Sequence, residues 1–513
     1  MDLSRRPMPI RNLPPLFPWL PLAAAAALAA GCAVGPTYHR PAIAAPTAFK
    51  EAPGWRQAAP ADAGPRGAWW EVFRDPVLND LEAQVATANL TLQEDAAAYE
   101  EAREIARADR GTFFPSLDAA GSAQRSRSPA RSSLATGTST TIAPANSITN
   151  SFNASLEASW EPDFWGRIRQ EVRADVAAAQ AGAADLASAR LLLQSELAQD
   201  YVSLRVADQR QQLLNDAADA YGRTLEISRN KYAVGVSAHS DVLSAQAQLD
   251  ATRAAAIDAG LQRAQLEHAI AVLVGKAPSG FSVIRRAALD LPVPDVPGIL
   301  PSELLERRPD IAGAERRVAE ANARVGVQWT GYFPSVSLTG QGGYSGSVWR
   351  HLFEYPNRFW SLGANAAETL LDWGQRRAQV KEAEAAYDSS VAAYRGSVLT
   401  GFQQVEDSLA ALRILQQEAA VQETAVAEAA QATAIASNEY RAGTADYTTV
   451  ATAEVAELND REQALATHAS RLNAGVSLIV ALGGGWQAGD LPGRGQVMAR
   501  GSQAPAAVAA PAK

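Results

Sequence analysis

The chain has 513 residues, with 55 acidic and 46 basic side chains and a formal net charge of −9 at pH 7. A negative surface repels the phosphate backbone, so this charge balance argues against a nucleic-acid partner. Cys32 is the only cysteine, which excludes an internal disulfide. Beyond the N-terminus no apolar run reaches about 18 residues, which excludes a membrane-spanning helix in the mature chain but leaves a β-barrel open.

The N-terminus has the pattern of a targeting segment. Three arginines precede an apolar stretch at residues 16–30, and Ala-Ala-Gly stands immediately before Cys32. We interpret residues 1–31 as a lipoprotein signal peptide and Cys32 as the lipidated first residue of the mature chain. The alternative is an ordinary buried thiol. Residues 32–66 are rich in Pro, Ala and Gly and are predicted to form an extended tether with little packing.

Ordered structure is predicted to begin with the aromatic segment 69–73. A helix then opens at Asp75-Pro76, because proline is favoured in the first helical turn. Its apolar face continues towards Arg110 in steps of three and four residues, which predicts one unbroken helix.

Four segments alternate apolar and polar residues with a period of two, which indicates strands with one apolar and one polar face. They lie near 117–124, 152–160, 335–341 and 360–366. The ordinary interpretation is a sheet over a soluble core. Aromatic residues at the strand ends and small polar residues on one face favour membrane strands around a wet lumen, joined by the polar loops 125–150 and 345–358.

Two alanine-rich stretches, 166–276 and 374–484, each predict a very long helix, a one-turn break and a returning helix. In the second, an apolar stripe recurs at helical spacing; it comprises Tyr387, Val391, Tyr394, Val398, Phe402, Val405, Leu409 and Leu412. A helix of this length without proline exceeds what an ordinary globular domain holds.

The two stretches are copies of each other. A shift of 208 residues relates Tyr232 to Tyr440 and Gly235 to Gly443, and an upstream shift of 219 relates Phe114-Pro115 to Phe333-Pro334. A register held over such a distance indicates duplication. We therefore predict two intertwined halves and a disordered tail, with strands near 113–162 and 332–372; the boundaries are 67–290 for the first repeat, 291–486 for the second and 487–513 for the tail.

Four strands cannot close a barrel, for which about eight are needed. Open edges in lipid would leave backbone groups unpaired at several kcal/mol each. The helices lead to the same expectation, because an alanine-rich helix with one narrow apolar stripe needs neighbours on both sides. The chain is therefore predicted to be an oligomer.

Three motifs carry a family resemblance. They are the segment from Cys32 to Pro41, the segment Glu306–Ile311 and the paired Tyr-x-x-Gly breaks. Together they resemble the OprM/TolC-like outer-membrane efflux factors of the NodT type. The resemblance implies a mainly α protein with a membrane β-barrel: a homotrimer with a twelve-stranded barrel continuous with a twelve-helix periplasmic α-barrel.

The resemblance also implies partners and location. The chain would be lipid-anchored in the bacterial outer membrane and in contact with its lipid. It would dock to a periplasmic adaptor protein and an inner-membrane RND-type pump. Its function would be a passive exit duct for drugs or other small molecules from the periplasm to the exterior.

The breaks between paired helices are expected to be distal tips that contact the adaptor. The alternative is a purely structural αα-turn whose glycine adopts the left-handed conformation. The candidate contact residues are Tyr232, Gly235, Val236, Tyr440, Arg441, Gly443 and Thr444.

In the family, inward residues after the second tip, typically aspartates, close the periplasmic end. The family aspartate falls on Thr452 here, so the acidic ring is absent at that place. Asp241 and Asp446 are the candidates for supplying negative charge to the aperture, with Glu454 and Glu457 nearby. Each of them would equally fit a solvated helix face.

No enzyme chemistry is predicted. The five histidines are scattered without metal-ligand spacing, and no complete nucleophile elbow or phosphate-binding loop is present, so no catalytic, cofactor-binding or metal site is expected. Arg307, Arg308 and Asp310 are interpreted as a structural cap at a helix start. The alternatives to the efflux duct are the outer-membrane conduit of a type I protein secretion system, a lipid-anchored periplasmic coiled-coil scaffold and a lipid-anchored hydrolase.

Overall fold

The computed structural model describes residues 34–43, 46, 48–51, 67–128, 147–286, 289–294 and 306–499. Helices α1 to α8 span Pro76–Ala88, Leu90–Gly111, Arg167–Ala233, His239–Leu273, Pro309–Thr330, Gln375–Ala442, Tyr447–Ala481 and Arg494–Val497. Strands β1 to β4 span Ser116–Ser128, Ser147–Trp160, Ser335–Gly346 and Arg358–Ala367. The predicted signal peptide and Cys32 lie outside the described residues. Within the described ranges, no helix combines the length and apolarity that a membrane crossing requires.

The chain divides into two compact units. The first comprises segments within 1–39, 105–175 and 319–388, and the second comprises segments within 40–104, 176–318 and 389–513. Each unit therefore takes material from both predicted repeats, as expected for intertwined halves.

The element starts repeat with the two predicted shifts. Helices α2 and α5 begin 219 residues apart, as do strands β1 and β3, and helices α4 and α7 begin 208 residues apart. Long helices α3 and α6 contain 67 and 68 residues, which at 1.5 Å per residue is about 100 Å each.

The N-terminal helix is shorter than predicted. Asp75 caps α1 by accepting a 2.8 Å hydrogen bond from the Val77 amide. The expected unbroken helix to Arg110 is wrong, because the backbone of Asn89 is extended and ends α1. The Asn89 side-chain oxygen then accepts from the Leu92 amide at 3.1 Å and starts α2, which is what a capping asparagine does.

Equivalent side chains hold the ends of the two returning helices. Asn89 donates to the carbonyl of Leu273 at the end of α4, at 2.8 Å. Arg308, the residue 219 positions later, donates to the carbonyl of Ala481 at the end of α7, at 3.0 Å, and also pairs with Asp310. The structural role predicted for this arginine agrees with these contacts.

The glycine after each returning helix packs against a backbone carbonyl. Gly275 and Gly483 have φ of +68° and +95°, a region that favours glycine. A Cβ on Gly275 would stand 2.3 Å from the carbonyl oxygen of Ala88, and one on Gly483 would stand 1.8 Å from that of Arg307. Both helix ends therefore require glycine for backbone conformation and for space.

The strands form one antiparallel sheet in the order β1-β2-β3-β4. The predicted pairing across the two loops is correct, but β1 and β2 run further than expected, to Ser128 and from Ser147, into the predicted loop 125–150. Antiparallel partners share a face, so the register sorts the side chains. One face carries Leu117, Ala119, Leu156, Ala158, Leu338, Trp360 and Leu362, and the other carries Ser122, Asn153, Ser155, Ser337, Thr339, Gln341 and Asn365.

The two long helices differ in burial. In α6 the predicted apolar stripe is buried at Tyr394, Val398, Phe402, Val405, Leu409 and Leu412, while large apolar residues elsewhere on the helix, such as Leu399 and Val421, are exposed. In α3 many more positions are buried, among them Val172, Ala179, Ala184, Leu197, Tyr201 and Leu214.

Two predictions about the chain ends are wrong for the residues that the structure describes. In the tether, Phe49 is buried with its ring 6.4 Å from that of Phe402, and Glu51 pairs with Arg413. In the tail, α8 forms and Val497 is fully buried. In each case a single apolar side chain is buried, which composition averaged over a segment does not reveal.

Candidate functional site

The first hairpin tip joins α3 to α4. Gly235 has φ of +77°, and its amide donates to the carbonyl of Tyr232 at 3.0 Å. The next amide, of Val236, reaches back to the carbonyl of Lys231 at 2.9 Å, which is the usual closure of a helix end by a left-handed glycine. The side chains of Tyr232 and Val236 are exposed, and the Tyr232 ring lies 5.1 Å from that of His239.

The second tip, between α6 and α7, has the same turn. Gly443 has φ of +82°, and the amide of Thr444 donates to the carbonyl of Glu439 at 2.9 Å. Arg441 and Thr444 are exposed. The left-handed glycine that is expected for an ordinary αα-turn is thus present at both tips.

Tyr440 differs from its counterpart Tyr232, because its ring is buried. Its hydroxyl lies 2.9 Å from the hydroxyl of Ser228, and its ring meets that of Tyr447 edge-on at 6.1 Å. The ammonium of Lys231 lies 3.9 Å from the centre of the Tyr440 ring and donates to the Tyr440 carbonyl. The expectation that the Tyr440 side chain contributes tip surface is therefore corrected: it joins the two hairpins. The sequence reasoning missed Lys231 and Ser228, whose roles depend on long-range contacts.

The three candidate aperture residues occupy different settings. Asp241 is half-buried in the first turn of α4 and accepts from the Ser237 hydroxyl at 2.6 Å. Asp446 is the exposed N-cap residue of α7 and makes no side-chain capping bond. Thr452 is exposed, and its hydroxyl donates to the carbonyl of Thr448 in its own helix at 2.8 Å.

The nearby glutamates are engaged elsewhere. Glu454 is buried and accepts from the Thr224 hydroxyl at 2.7 Å, and the Tyr221 hydroxyl donates to its carbonyl at 3.0 Å. Burial raises the pKa of the Glu454 carboxyl, while the Thr224 hydrogen bond lowers it. Glu457 pairs with Arg461 at 2.5 Å. Glu454 therefore joins α7 to α3.

A larger buried ionic network ties the segment that follows α4, at residues 283–286, to the first hairpin. Arg205 pairs with Asp208 at 3.1 Å and donates to the carbonyl of Ile284 at 2.7 Å. Arg263 pairs with the same aspartate at 2.6 Å and donates to the carbonyl of Val283 at 2.5 Å. These charges are paired with each other and with backbone groups, as buried charges must be, so the network is structural.

No group of three or more His, Cys, Asp or Glu side chains is placed to hold a metal ion in the part of the chain that the structure describes. The candidate functional surfaces of this chain are the two hairpin tips and the two faces of the sheet. One sheet face carries hydroxyls and amides, and the other is mainly apolar.

Known proteins are similar to this chain in sequence and in fold. A model of the outer membrane efflux protein family matches residues 83–276 and 300–484. The chain is 29% identical over 475 residues to the outer membrane protein OprJ of Pseudomonas aeruginosa, which covers 92% of this chain and 96% of that protein. It is 28% identical over 472 residues to the toluene efflux pump outer membrane protein TtgC of Pseudomonas putida, covering 91% of this chain and 95% of that one.

A solved structure of the outer-membrane channel OprN is 28% identical, with a TM-score of 0.78 over 89% of this chain and 100% of that chain. The family ranges include most of both helical hairpins, and the structural match spans nearly the whole described chain. The predictions of family, fold class and outer-membrane location are confirmed. The chain belongs to the outer membrane efflux protein family, and its fold is the duplicated helix-and-strand fold of outer-membrane channels.

Proposed function

We propose that this efflux protein works as a homotrimeric exit duct. Each of three chains would contribute four strands to a twelve-stranded barrel and four helices to a twelve-helix periplasmic tube. The observation that carries the proposal is the sheet, which ends in two edges, β1 and β4. Backbone groups on an open edge cost several kcal/mol each in lipid, and four strands are fewer than a barrel needs. Pairing β4 of one copy with β1 of the next removes both difficulties.

The proposed cargo consists of drugs and other small molecules. In support, the relative TtgC is named for toluene, a small apolar molecule. We propose that the duct is passive and receives its cargo from an inner-membrane RND-type pump through a periplasmic adaptor. In support, the relative TtgC is named as the outer-membrane protein of an efflux pump. No feature of the described residues favours the protein-secretion alternative.

We propose that the exposed tip residues Val236, Arg441 and Thr444 contact the adaptor, with Gly235 and Gly443 shaping the turns. Replacing Val236 by Asp places a charge on an apolar tip and should weaken adaptor docking. In a strain that lacks its own outer-membrane efflux channel, we expect V236D to lower the minimum inhibitory concentration of ethidium at least about fourfold.

The matched control is Ile284→Asp, which introduces the same charge at a residue that is 82% exposed and outside the tips. It should leave the ethidium value unchanged. Equal resistance with V236D and the wild-type chain, at equal amounts in the outer membrane, would refute the tip assignment. Planar-bilayer conductance of both variants tests the duct itself, because a docking defect leaves the pore intact.

We propose further that Asp241, Asp446 and Thr452 lie around the periplasmic aperture. The support is their position shortly after the tips, with Asp446 exposed. Neutralising both carboxylates in D241N/D446N should reduce the cation preference of the pore, because rings of acidic side chains attract cations. The reversal potential in a salt gradient measures this preference, and an unchanged potential would contradict the aperture assignment.

Finally, we propose that Cys32 is lipidated after removal of residues 1–31 and that the chain retains the division into repeats at 67–290 and 291–486. A Cys32→Ser variant should lose the mass of the acyl chains, measured on the intact purified protein. A wild-type mass without acyl groups would contradict the anchor.

A further inference from the structure

Three arginines occupy the apolar face of the sheet. Arg125 and Arg127 follow Leu117, Ala119, Gly121 and Ala123 at every second position of β1, so they share that face. Arg358 pairs with Tyr344, which pairs in turn with Ala154, so it lies on the same face of β4. An arginine on a lipid-facing strand is destabilising at the centre of a bilayer and nearly neutral at its surface.

Each of the three arginines lies in the part of its strand next to a loop, and the register places Arg358 level with Gly121, four residues before Arg125. Helix α2 leads into β1 at Ser116, so Arg125 and Arg127 stand near the far end of that strand. Arg358 is the first residue of β4 after the loop from β3. The opposite ends of these strands lead to the periplasmic helices, so the loop end is the one that faces the cell exterior.

A cluster of aromatic rings lies where β2 and β3 meet the β3–β4 loop. Trp349 in the β3–β4 loop lies 5.9 Å from Phe152 and 6.4 Å from Phe353, measured between ring centres. Phe353 in turn lies 5.4 Å from Tyr344. These rings link β2 to β3, and the loop rings are largely exposed, with 63% exposure at Trp349 and 64% at Phe353. Large rings of this kind gather where lipid chains meet the head groups.

The positive charges of Arg125, Arg127 and Arg358 are not neutralised by any described residue. The three arginines are exposed and form no ion pair among the described residues, and Arg358 lies over the Tyr355 ring at 5.4 Å. Within the described ranges 147–156 and 341–360, Glu354 is the only acidic residue. Its Oε1 atom lies 2.5 Å from Nδ1 of His351. The guanidinium groups are therefore free to bind an external anion.

We infer that Arg125, Arg127 and Arg358, with the aromatic cluster of the β3–β4 loop, form a binding surface for a membrane lipid that carries phosphate on its head group in the outer leaflet. Arginine forms paired hydrogen bonds with phosphate oxygens, and the neighbouring apolar face of Leu156, Trp360 and similar residues receives the acyl chains. A soluble anion would use only the charges. The inference rests on the strands crossing the outer membrane, as proposed above.

Closure of the proposed trimer would place arginines from two chains on one surface. Arg125 and Arg127 lie on one edge strand and Arg358 on the other. Within one chain Arg358 is separated from Arg125 and Arg127 by three strand spacings across the sheet, about 14 Å, and by four to six residues along it, about 14–20 Å. Joining β4 of one copy to β1 of the next would bring arginines from two chains to the same seam.

The test uses the purified full-length protein in detergent and two probes, lipopolysaccharide and the same lipopolysaccharide after enzymatic dephosphorylation. Native mass spectrometry measures how much of each probe stays bound. We expect the wild-type protein to bind the phosphorylated form at least about tenfold more tightly, since each arginine near an anionic surface adds to the affinity. R125Q/R127Q/R358Q should bind both forms alike, and R125K/R127K/R358K should keep most of the preference because it keeps the charge.

The control R253Q/R377Q/R395Q removes the same charge from three exposed helix arginines and should behave like the wild-type protein. Planar-bilayer conductance shows that each variant is folded, and it also separates the two proposals. A wild-type channel that conducts but binds both probes equally would overturn the lipid site and leave the duct standing. A glutamine variant that conducts and keeps the wild-type preference would overturn it as well.

Discussion

At the scale of single residues, buried charges in this chain fall into two kinds. The Arg205, Asp208 and Arg263 side chains are buried but paired with each other and with backbone carbonyls. Glu82 on α1 is fully buried, and neither carboxylate oxygen has a hydrogen-bond partner among the described residues. Burial raises the pKa of the Glu82 carboxyl well above its ordinary value of 4.5.

The sign of the effect of Glu82 follows from this shift. The folded chain holds the proton more tightly than the unfolded chain, so stability falls as the pH rises above 4.5. Glu82→Met removes the buried carboxyl and keeps a flexible apolar side chain. We expect it to raise the free energy of unfolding at pH 7 by about 1–3 kcal/mol.

Thermal unfolding of the purified protein between pH 4 and pH 8 measures this prediction. The difference between E82M and the wild-type chain should narrow as the pH falls towards 4.5. Glu94→Met is the control, because Glu94 is exposed on α2 and its replacement should change stability little. A stability difference that stays constant across the pH range would show that Glu82 does not titrate as described.

At the scale of elements, the ends of the returning helices α4 and α7 make equivalent contacts in the two repeats. Asn89 and Arg308 have different chemistry, yet each donates to the last carbonyls of its returning helix. Gly275 and Gly483 each admit a carbonyl where a Cβ would clash. The contact survives in both repeats while the donor side chain has changed, so the geometry of the helix end is the shared feature.

This geometry predicts that Gly483→Ala is strongly destabilising. The new Cβ meets the Arg307 carbonyl at 1.8 Å in a left-handed backbone, and we expect a loss of at least about 2 kcal/mol. The control is Gly396→Ala in α6, where nothing lies within 4 Å of the added Cβ. That change should be neutral or stabilising by up to about 1 kcal/mol.

The midpoint temperatures of the two variants, measured by circular dichroism at 222 nm, give the comparison. The prediction requires a clear drop for G483A and none for G396A. Similar midpoints for both variants would mean that the helix end relaxes to accommodate a side chain.

At the scale of the whole molecule, helices α3 and α6 have nearly the same length but different surroundings. Helix α3 is buried along much of its length because it shares a core cluster with α1, α2, α4, α7 and the residues Val283 and Leu291. Helix α6 buries one stripe and leaves apolar residues such as Val421, 71% exposed, without cover in one chain. Other copies of the chain are the proposed cover.

Val421→Asp therefore should weaken assembly without unfolding the chain. A charge placed between packed helices has to be desolvated, so we expect the trimer fraction in detergent to fall at least about tenfold. Native mass spectrometry measures the trimer fraction, and Ile284→Asp again supplies a control at an exposed residue outside the long helices. A V421D protein that remains fully trimeric would remove α6 from the proposed interface.

The sequence by itself determined the duplication, the strand faces, the hairpins and the family. These features depend on periodicity and on repeated spacing, which are properties of the chain order and need no knowledge of distant contacts. The helix break at Asn89 and the order of the tail around Val497 were not visible in this way, because each depends on a single side chain, the capping amide of Asn89 and the buried Val497, that does not alter the periodicity.

The tertiary structure alone decided which of two equivalent residues is exposed. Tyr232 and Tyr440 occupy the same position in their repeats, yet one lies on the tip and the other is buried against Ser228 and Tyr447. It also decided that Arg125 and Arg127 belong to a strand and share a face with Arg358, a relation that requires the register of four paired strands. Local pattern sets the elements, whereas burial and register arise only when separate elements meet.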